Sequence, residues 1–232
     1  MIIGGIQKTS LIDYPGKICT VLFTRGCNFS CGFCHNPELV VPKLYTKSIP
    51  LYQIFNFLKK RKDKIEGITI TGGEPTLHSD LPQFISKIKN MKYSIKLDTN
   101  GTNPQIIKKL INDQLIDYLA MDIKNSPNKY SLTVQKKINF QNIKKSIEII
   151  KKSPIQYEFR TTIIPRLHDQ KSITQIGKLL HLSKNFYLQQ FRPSKHINSS
   201  FSKIKPYSYK ELLLFKKILS KFIKNVSIRG TN

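Results

Sequence analysis

The feature that most restricts the fold is an alternation repeated along the chain. Short apolar runs of β type are followed, again and again, by stretches with helical spacing. The runs fall at 18–24, 68–71, 94–98, 118–123, 157–164 and 185–191, and they are rich in Ile, Val, Tyr and Phe between turn residues. Among the intervening stretches, Leu51, Ile54, Phe55 and Leu58 share one helical face, as do Leu81, Phe84, Ile85 and Ile88. Ile143, Ile147 and Ile150 repeat the pattern, and Leu212, Phe215, Leu219 and Phe222 extend it into a last helix. Asp80 before Leu81-Pro82 reads as a helix N-cap. Alternating β and α implies an α/β fold with a parallel sheet. Right-handed crossovers leave two arrangements, an open doubly wound sheet or a barrel, and six units are too few for a complete eight-stranded barrel. Residues 1–17 are expected to form an N-terminal cap or hairpin, 18–232 a single domain, and 226–229 an added edge strand.

Composition narrows the function classes. The chain has 232 residues, with 39 basic against 14 acidic side chains and a net charge of +25. No apolar run approaches the roughly 20 residues that span a bilayer, and no basic leader opens the sequence, so a cytoplasmic location is expected. The charge invites a nucleic-acid reading. Against it, the basic residues are mostly lysine, isoleucine is used as heavily, and an AT-rich coding sequence would produce both. Lys59, Lys60, Lys62 and Lys64 cluster at a helix end, an ordinary solvated position, and no aromatic-basic stacking motif appears.

Unusual polar residues gather where strands end. Arg25-Gly26-Cys27 follows the first strand, Gly72-Gly73-Glu74-Pro75 the second, Asp98-Thr99-Asn100-Gly101 the third and Asp122-Ile123-Lys124 the fourth. Arg160 lies within the fifth, and Arg192-Pro193 follows the sixth. Ligands of parallel α/β folds bind at the carboxyl ends of strands, so this convergence marks the candidate site.

Cys27, Cys31 and Cys34 are spaced C-x3-C-x2-C. Structural zinc usually needs four protein ligands, and completing the set with His35, adjacent to Cys34, would be cramped. Cys31-Gly32-Phe33-Cys34-His35 matches a haem-attachment motif, which would require export. A thioredoxin-like pair would leave Cys27 unexplained. A [4Fe–4S] cluster held by three thiolates is the remaining reading. Cys19 lies eight residues before Cys27, roughly 25 Å away along an extended strand, and is expected to be a buried thiol. One iron would then stay open to a ligand, as in catalytic metal sites.

Cys-x3-Cys-x-Phe-Cys with Gly-Gly-Glu-Pro at a later strand end resembles the radical S-adenosylmethionine superfamily. Residues 4–17, GGIQKTSLIDYPGK, and 34–39, CHNPEL, resemble anaerobic ribonucleoside-triphosphate reductase activating proteins, among the glycyl-radical-enzyme activases. The resemblance implies a partial (βα)6 TIM-like barrel. It implies that Cys27, Cys31 and Cys34 hold the cluster, that the open iron chelates S-adenosylmethionine, and that reductive cleavage yields a 5′-deoxyadenosyl radical. It places Phe33 beside the adenine, and Gly72, Gly73 and Glu74 at the methionine amino group. It makes Asp98, Thr99, Met121 and Asp122 a candidate monovalent-cation site, because two close carboxylates require a compensating charge. Lys124 and Arg160 become candidates to pair with a cofactor carboxylate. Among the histidines, only His196 is singled out near the cofactor.

The expected function is an activase that installs a glycyl radical on a partner, foremost an anaerobic ribonucleotide reductase, alternatively a pyruvate formate-lyase. Electrons would come from an external donor such as flavodoxin. The rivals are radical chemistry on a small molecule, as in deazapurine synthesis, or on tRNA, and a non-enzymatic metal-binding nucleic-acid module.

Overall fold

A computed structural model describes residues 1–194 and 197–231. Its strands are β1 (Ile3–Ser10), β2 (Cys19–Thr24), β3 (Gly67–Gly72), β4 (Ser94–Thr99), β5 (Tyr118–Asp122), β6 (Gln156–Ile163), β7 (Asn185–Gln190) and β8 (Asn225–Arg229). Its helices are α1 (Leu51–Lys60), α2 (Leu81–Lys89), α3 (Pro104–Asn112), α4 (Tyr130–Val134), α5 (Phe140–Lys152), α6 (Gln170–Leu179), α7 (Ser199–Ser202) and α8 (Tyr209–Leu219).

All eight strands lie in one sheet, in sequence order from β1 to β8. That order decides between the two arrangements left open above. A doubly wound sheet reverses its strand order at a switch point and carries helices on both faces. Here every step goes the same way, so right-handed crossovers place the helices on a single face. The sheet curls with that face outward into a partial barrel, and β1 and β8 remain unpaired with each other. Pairs from β2 to β8 are parallel. β1 is antiparallel to β2, so the N-terminal segment forms a hairpin whose second arm is the first barrel strand.

The main core lies between sheet and helices and is built from the periodic residues: Ile54 and Leu58, Leu81 and Ile85, Ile143 and Ile147, Leu212 and Leu219 are all buried. The last helix is shorter than its periodicity suggests. α8 stops at Leu219, and Phe222 lies beyond it, packed where a Cβ on Gly177 would come within 2.5 Å of its ring. Asp80 occupies the N-cap position of α2 but makes no capping bond; its carboxylate pairs instead with the Met1 ammonium. Cys19 is fully buried at the far end of β2, where it accepts a long hydrogen bond from Thr69. Among the described residues, no helix is long and apolar enough to cross a membrane.

Candidate functional site

The cysteines sit on the loop that leaves the top of β2. Gly26 turns in the left-handed region, with φ +92°, and its N–H donates to the Leu39 carbonyl at 2.7 Å, closing the loop. Aromatic residues alternate with the thiols. Phe29 is buried in the main core, edge-on to Tyr130 with ring centroids 6.3 Å apart. Phe33 is buried in a smaller cluster with Ile164 and Phe191, and lies 5.9 Å from the Phe201 ring. The Ser30 N–H donates to Val134 at 2.9 Å, and the Asn198 N–H to Gly32 at 3.0 Å, so both flanks of the loop are tied down. With the rings turned inward, Cys27, Cys31 and Cys34 line one cavity of about 220 Å³. All three are free thiols. The Phe33 side chain lines the same cavity, so it both packs the wall and faces the chamber.

Gly72, Gly73 and Glu74 line the same cavity, and the glycines pack against the start of the cysteine loop. Gly72 has φ +112°, and a Cβ there would lie 2.4 Å from the Thr24 nitrogen. A Cβ on Gly73 would lie 1.9 Å from the Gly26 carbonyl oxygen. The close approach that glycine permits is therefore to the backbone leading into the cysteine loop. Two hydrogen bonds lock the contact: Gly73 N–H to Thr24 at 2.8 Å and Glu74 N–H to Gly26 at 2.7 Å. Glu74 is buried, and its carboxylate is fully engaged. Oε1 accepts from the Thr76 N–H at 3.1 Å, the Thr76 hydroxyl at 2.6 Å and the Thr99 hydroxyl at 2.7 Å, and Oε2 accepts from the Asn100 N–H at 2.6 Å. Burial pushes its pKa up while these donors pull it back. Glu74 thus joins the loop after β3 to the turn after β4.

The barrel interior holds a charge network. Register sets Asp122 of β5 against Arg160 of β6. Arg160 spans both aspartates, donating to Asp98 at 2.9 Å and, through Nε, to Asp122. Lys124 pairs with Asp122 at 2.7 Å, and Lys96 with Asp98. Burial opposes each charge, but these partners win: the Asp98 and Asp122 carboxyls are held below the usual carboxylate range, and Lys124 and Arg160 are raised. The like-charge argument for a monovalent cation therefore loses its force, because Arg160, Lys96 and Lys124 supply the compensating charge. Met121 follows Ala120 on β5, next to Asp122. Its side chain is buried in the main core under Gly101, where a Cβ would meet its terminal methyl at 1.9 Å. Asp98, Thr99, Asp122, Lys124 and Arg160 all line the cavity.

Asn100 stands in a motif singled out by its place at a strand end, yet its role was not foreseen. It lines the cavity, and its side chain bridges Asn28 at 2.8 Å and the Thr102 hydroxyl at 2.7 Å, linking the end of β4 to the cysteine loop. His168 was also unmarked. It is fully buried, its Nδ1 accepts from the Ile164 N–H at 3.1 Å, and its Nε2 donates to the Lys124 carbonyl at 3.0 Å. Burial pushes its pKa down to about 4, so the neutral ring holds the backbone of Lys124. His35 lines the cavity beside the last cysteine. His196 lies outside the described residues.

The donor set suits an iron–sulfur cluster. Thiols are soft ligands, and burial pushes Cys27 up to about 12 and Cys31 up to about 11, with Cys34 also raised. Thiolates buried this way need a cationic partner, which bound iron provides. Among the described residues, no three His, Cys, Asp or Glu side chains are grouped to share one metal ion. A cluster does not require that, since each thiolate takes a different iron. The far wall, with Asp122, Lys124 and Arg160, offers both signs of charge to a zwitterionic ligand.

Comparison with known proteins agrees with this chemistry. Residues 21–173 match the model of the radical SAM superfamily. A protein of Methanocaldococcus jannaschii named as a glycyl-radical enzyme activating enzyme is 36% identical over 239 residues, covering 100% of this chain and 97% of the relative. The pyruvate formate-lyase-activating enzyme of Clostridium pasteurianum is 29% identical over 79% of this chain and 76% of its own length. GTP 3′,8-cyclase of Helicobacter pylori is 27% identical over 88% of this chain but only 62% of its own. Among solved structures, Streptococcus suis SuiB bound to S-adenosylmethionine superposes with TM-score 0.67, covering 90% of this chain and 52% of that one at 14% identity, a likeness of fold.

Proposed function

We propose that this chain, which belongs to the radical SAM superfamily, is an activase that installs a glycyl radical on a partner enzyme, most specifically an anaerobic ribonucleotide reductase. The observation that carries the reading is the chamber itself. Three free thiols on one loop face a wall of paired charges, and the Gly-Gly-Glu segment bolts the loop in place. Identity with a named activase over the whole chain supports the substrate class. When bound, the cluster and S-adenosylmethionine supply a carbon-centred radical that takes a hydrogen atom from glycine.

The chain's own residues do the rest. Cys27, Cys31 and Cys34 would hold the cluster through their thiolates. Lys124 and Arg160 present donors to the same cavity and orient an anionic group there. Phe29 and Phe33 close the walls with apolar surface, which keeps water from a reactive species. Electrons come from an external donor of the flavodoxin kind.

The reading is tested by anaerobic reconstitution. The expected product binds about four irons, loses them in Cys27→Ala, and forms 5′-deoxyadenosine with dithionite and S-adenosylmethionine. Incubation with a ribonucleotide reductase or a formate-lyase, followed by EPR, reads the glycyl doublet. The similarity to GTP 3′,8-cyclase favours a second reading, a small-molecule substrate. Deoxyadenosine formation with no glycyl signal on any partner would select it.

A further inference from the structure

Five charged side chains form a chain through the barrel interior. Lys96 pairs with Asp98, Asp98 with Arg160, Arg160 with Asp122, and Asp122 with Lys124. Asp98, Arg160, Asp122 and Lys124 line the cysteine chamber. Lys96 lines a separate cavity of about 600 Å³, which Arg160 also faces. Alternation along β4 sends Ile95 and Leu97 into the main core and turns Lys96 with Asp98 to the other side of the sheet. Among the described residues Lys96 is the only buried lysine, at 3% exposure. The solvated position that accounts for the surface lysines does not account for this one. An ammonium kept out of water carries a desolvation penalty, so its place calls for a reason.

The pairing of individual oxygens supplies it. Asp98 uses Oδ1 for Lys96 and Oδ2 for Arg160, the latter at 2.9 Å. Asp122 uses Oδ1 for Arg160 and Oδ2 for Lys124, the latter at 2.7 Å. Each aspartate therefore has a lysine of its own, and Arg160 is shared between them. Were Arg160 to turn away, both carboxylates would stay paired. Without Lys96, Asp98 would depend on Arg160 alone among the described residues, and moving the guanidinium would strand a buried charge. Neighbouring acids do not compete for Lys96. Glu158 pairs with Arg229 at 2.8 Å, Asp13 accepts from the Ser10 hydroxyl at 2.5 Å, and Glu74 is held by neutral donors.

We propose that Lys96 is a positioning residue: by holding Asp98, it frees the Arg160 guanidinium to turn to the carboxylate of S-adenosylmethionine in the chamber. This deepens the reading that Lys124 and Arg160 orient an anionic group, and rests on it. A guanidinium matches a carboxylate in charge and fork geometry, but only donors not committed elsewhere can make the match. Lys96 acts through Asp98, from outside the chamber.

The test uses the full chain, reconstituted anaerobically, and two probes titrated by calorimetry. S-adenosylhomocysteine carries the carboxylate, and 5′-methylthioadenosine lacks it. Lys96→Met is expected to take up iron like the parent, because Asp98 keeps Arg160 in the unliganded chain. It is expected to bind S-adenosylhomocysteine about tenfold more weakly, with its affinity for methylthioadenosine unchanged. Lys96→Arg retains more of the affinity than Lys96→Met. Adding Asp98→Asn to Lys96→Met recovers most of the loss, since no carboxylate is left to detain Arg160 on that side. A merely structural lysine would weaken both probes together, and Asp98→Asn would not repair the loss. Either result overturns the proposal, as does parental affinity or lost iron in Lys96→Met. Deoxyadenosine formation by the parent chain reads the radical chemistry separately. Its absence with this pattern intact sinks the activase reading, and its presence with binding indifferent to Lys96 sinks this one.

Discussion

Glu74 and Glu158 are both buried carboxylates, 1% and 0% exposed, yet their charges are met in opposite ways. Glu74, in the cysteine chamber, is held by neutral donors: two backbone N–H groups and two threonine hydroxyls. Glu158, on β6 in the wall of a separate cavity of about 600 Å³, is held by a cation. Arg229 reaches it at 2.8 and 3.0 Å, and the Tyr118 hydroxyl donates at 2.7 Å. Buried carboxylates must be satisfied one way or the other. The choice determines what is fixed. Backbone donors belong to the chain path, so Glu74 sets the relative position of two loops. The Arg229 guanidinium belongs to the last strand, so Glu158 joins β6 to β8 through a side chain. The chamber is therefore tied through the chain path, and the wall around Glu158 through a side-chain ion pair.

The hardest blow to the chamber is Gly73→Ala. Its Cβ would stand 1.9 Å from a backbone oxygen, and neither side can rotate away. A cost of about 3 kcal/mol or more is expected, and the cysteine loop has to move because Gly26 carries that oxygen. Denaturant unfolding measures the loss, and iron content after reconstitution measures the displacement. A variant with parental stability and full iron would show that the two loops are not locked together.

How much of this was legible beforehand depended on the kind of interaction. The strands from β2 to β7 were visible because their apolar runs end in turn residues. β1 is expected only as part of a cap or hairpin at 1–17, without strand bounds, since Gly4 and Gly5 interrupt its apolar pattern and its middle is half-exposed, while β8 matches the edge strand expected at 226–229. The three cysteines declared themselves by spacing alone. Phe29 lay between two of them unmarked, although its ring packs in the main core and lines the cavity together with the thiols. The glycine pair signalled a close approach, but not to what, because that depends on Thr24 standing level with Gly72 across β2 and β3. Arg160 was placed at the site, while its grip on two aspartates depends on the register of three strands. His168 had no local signal, since both of its hydrogen-bond partners come from tertiary packing or the turn it sits on.

That histidine gives a second probe of the chamber. Its ring is neutral in the folded chain, with pKa down at about 4 against an ordinary 6.5. The unfolded chain takes up the proton first as pH falls. Stability from this group is therefore complete above about pH 6.5, is lost progressively as pH falls, and is gone below about pH 4, a total of about 3 kcal/mol. Unfolding free energies at neutral and mildly acid pH, compared between the parent and His168→Gln, isolate it from the other histidines. The difference between the two proteins should narrow as pH falls through that window. An identical pH slope in both would mean that the ring is not shielded, and that the backbone at Lys124 is looser than the chamber requires.

The smallest effects discriminate the two regions most sharply. Glu74→Gln replaces one acceptor oxygen by an amide that faces a donor, either the Asn100 N–H or the threonines, and should cost about 2 kcal/mol. Arg229→Ala strands a buried carboxylate, but the guanidinium side chain is 37% exposed, so screening by solvent brings its cost to about 2 kcal/mol or less. Similar size makes salt the useful variable. Raising ionic strength from 0.1 to 1 M shortens the screening length from about 10 to 3 Å, which should shrink the Arg229→Ala effect and leave Glu74→Gln unchanged. Among the described residues the carboxylates share no partner: Glu74 is held by Thr76, Thr99 and Asn100, and Glu158 by Arg229 and Tyr118, with Arg160 at 3.9 Å. The double variant should then be additive within about 0.5 kcal/mol. A larger coupling would mean that the charge network around Arg160, which lines both cavities, transmits strain from Glu158 to the cysteine loop.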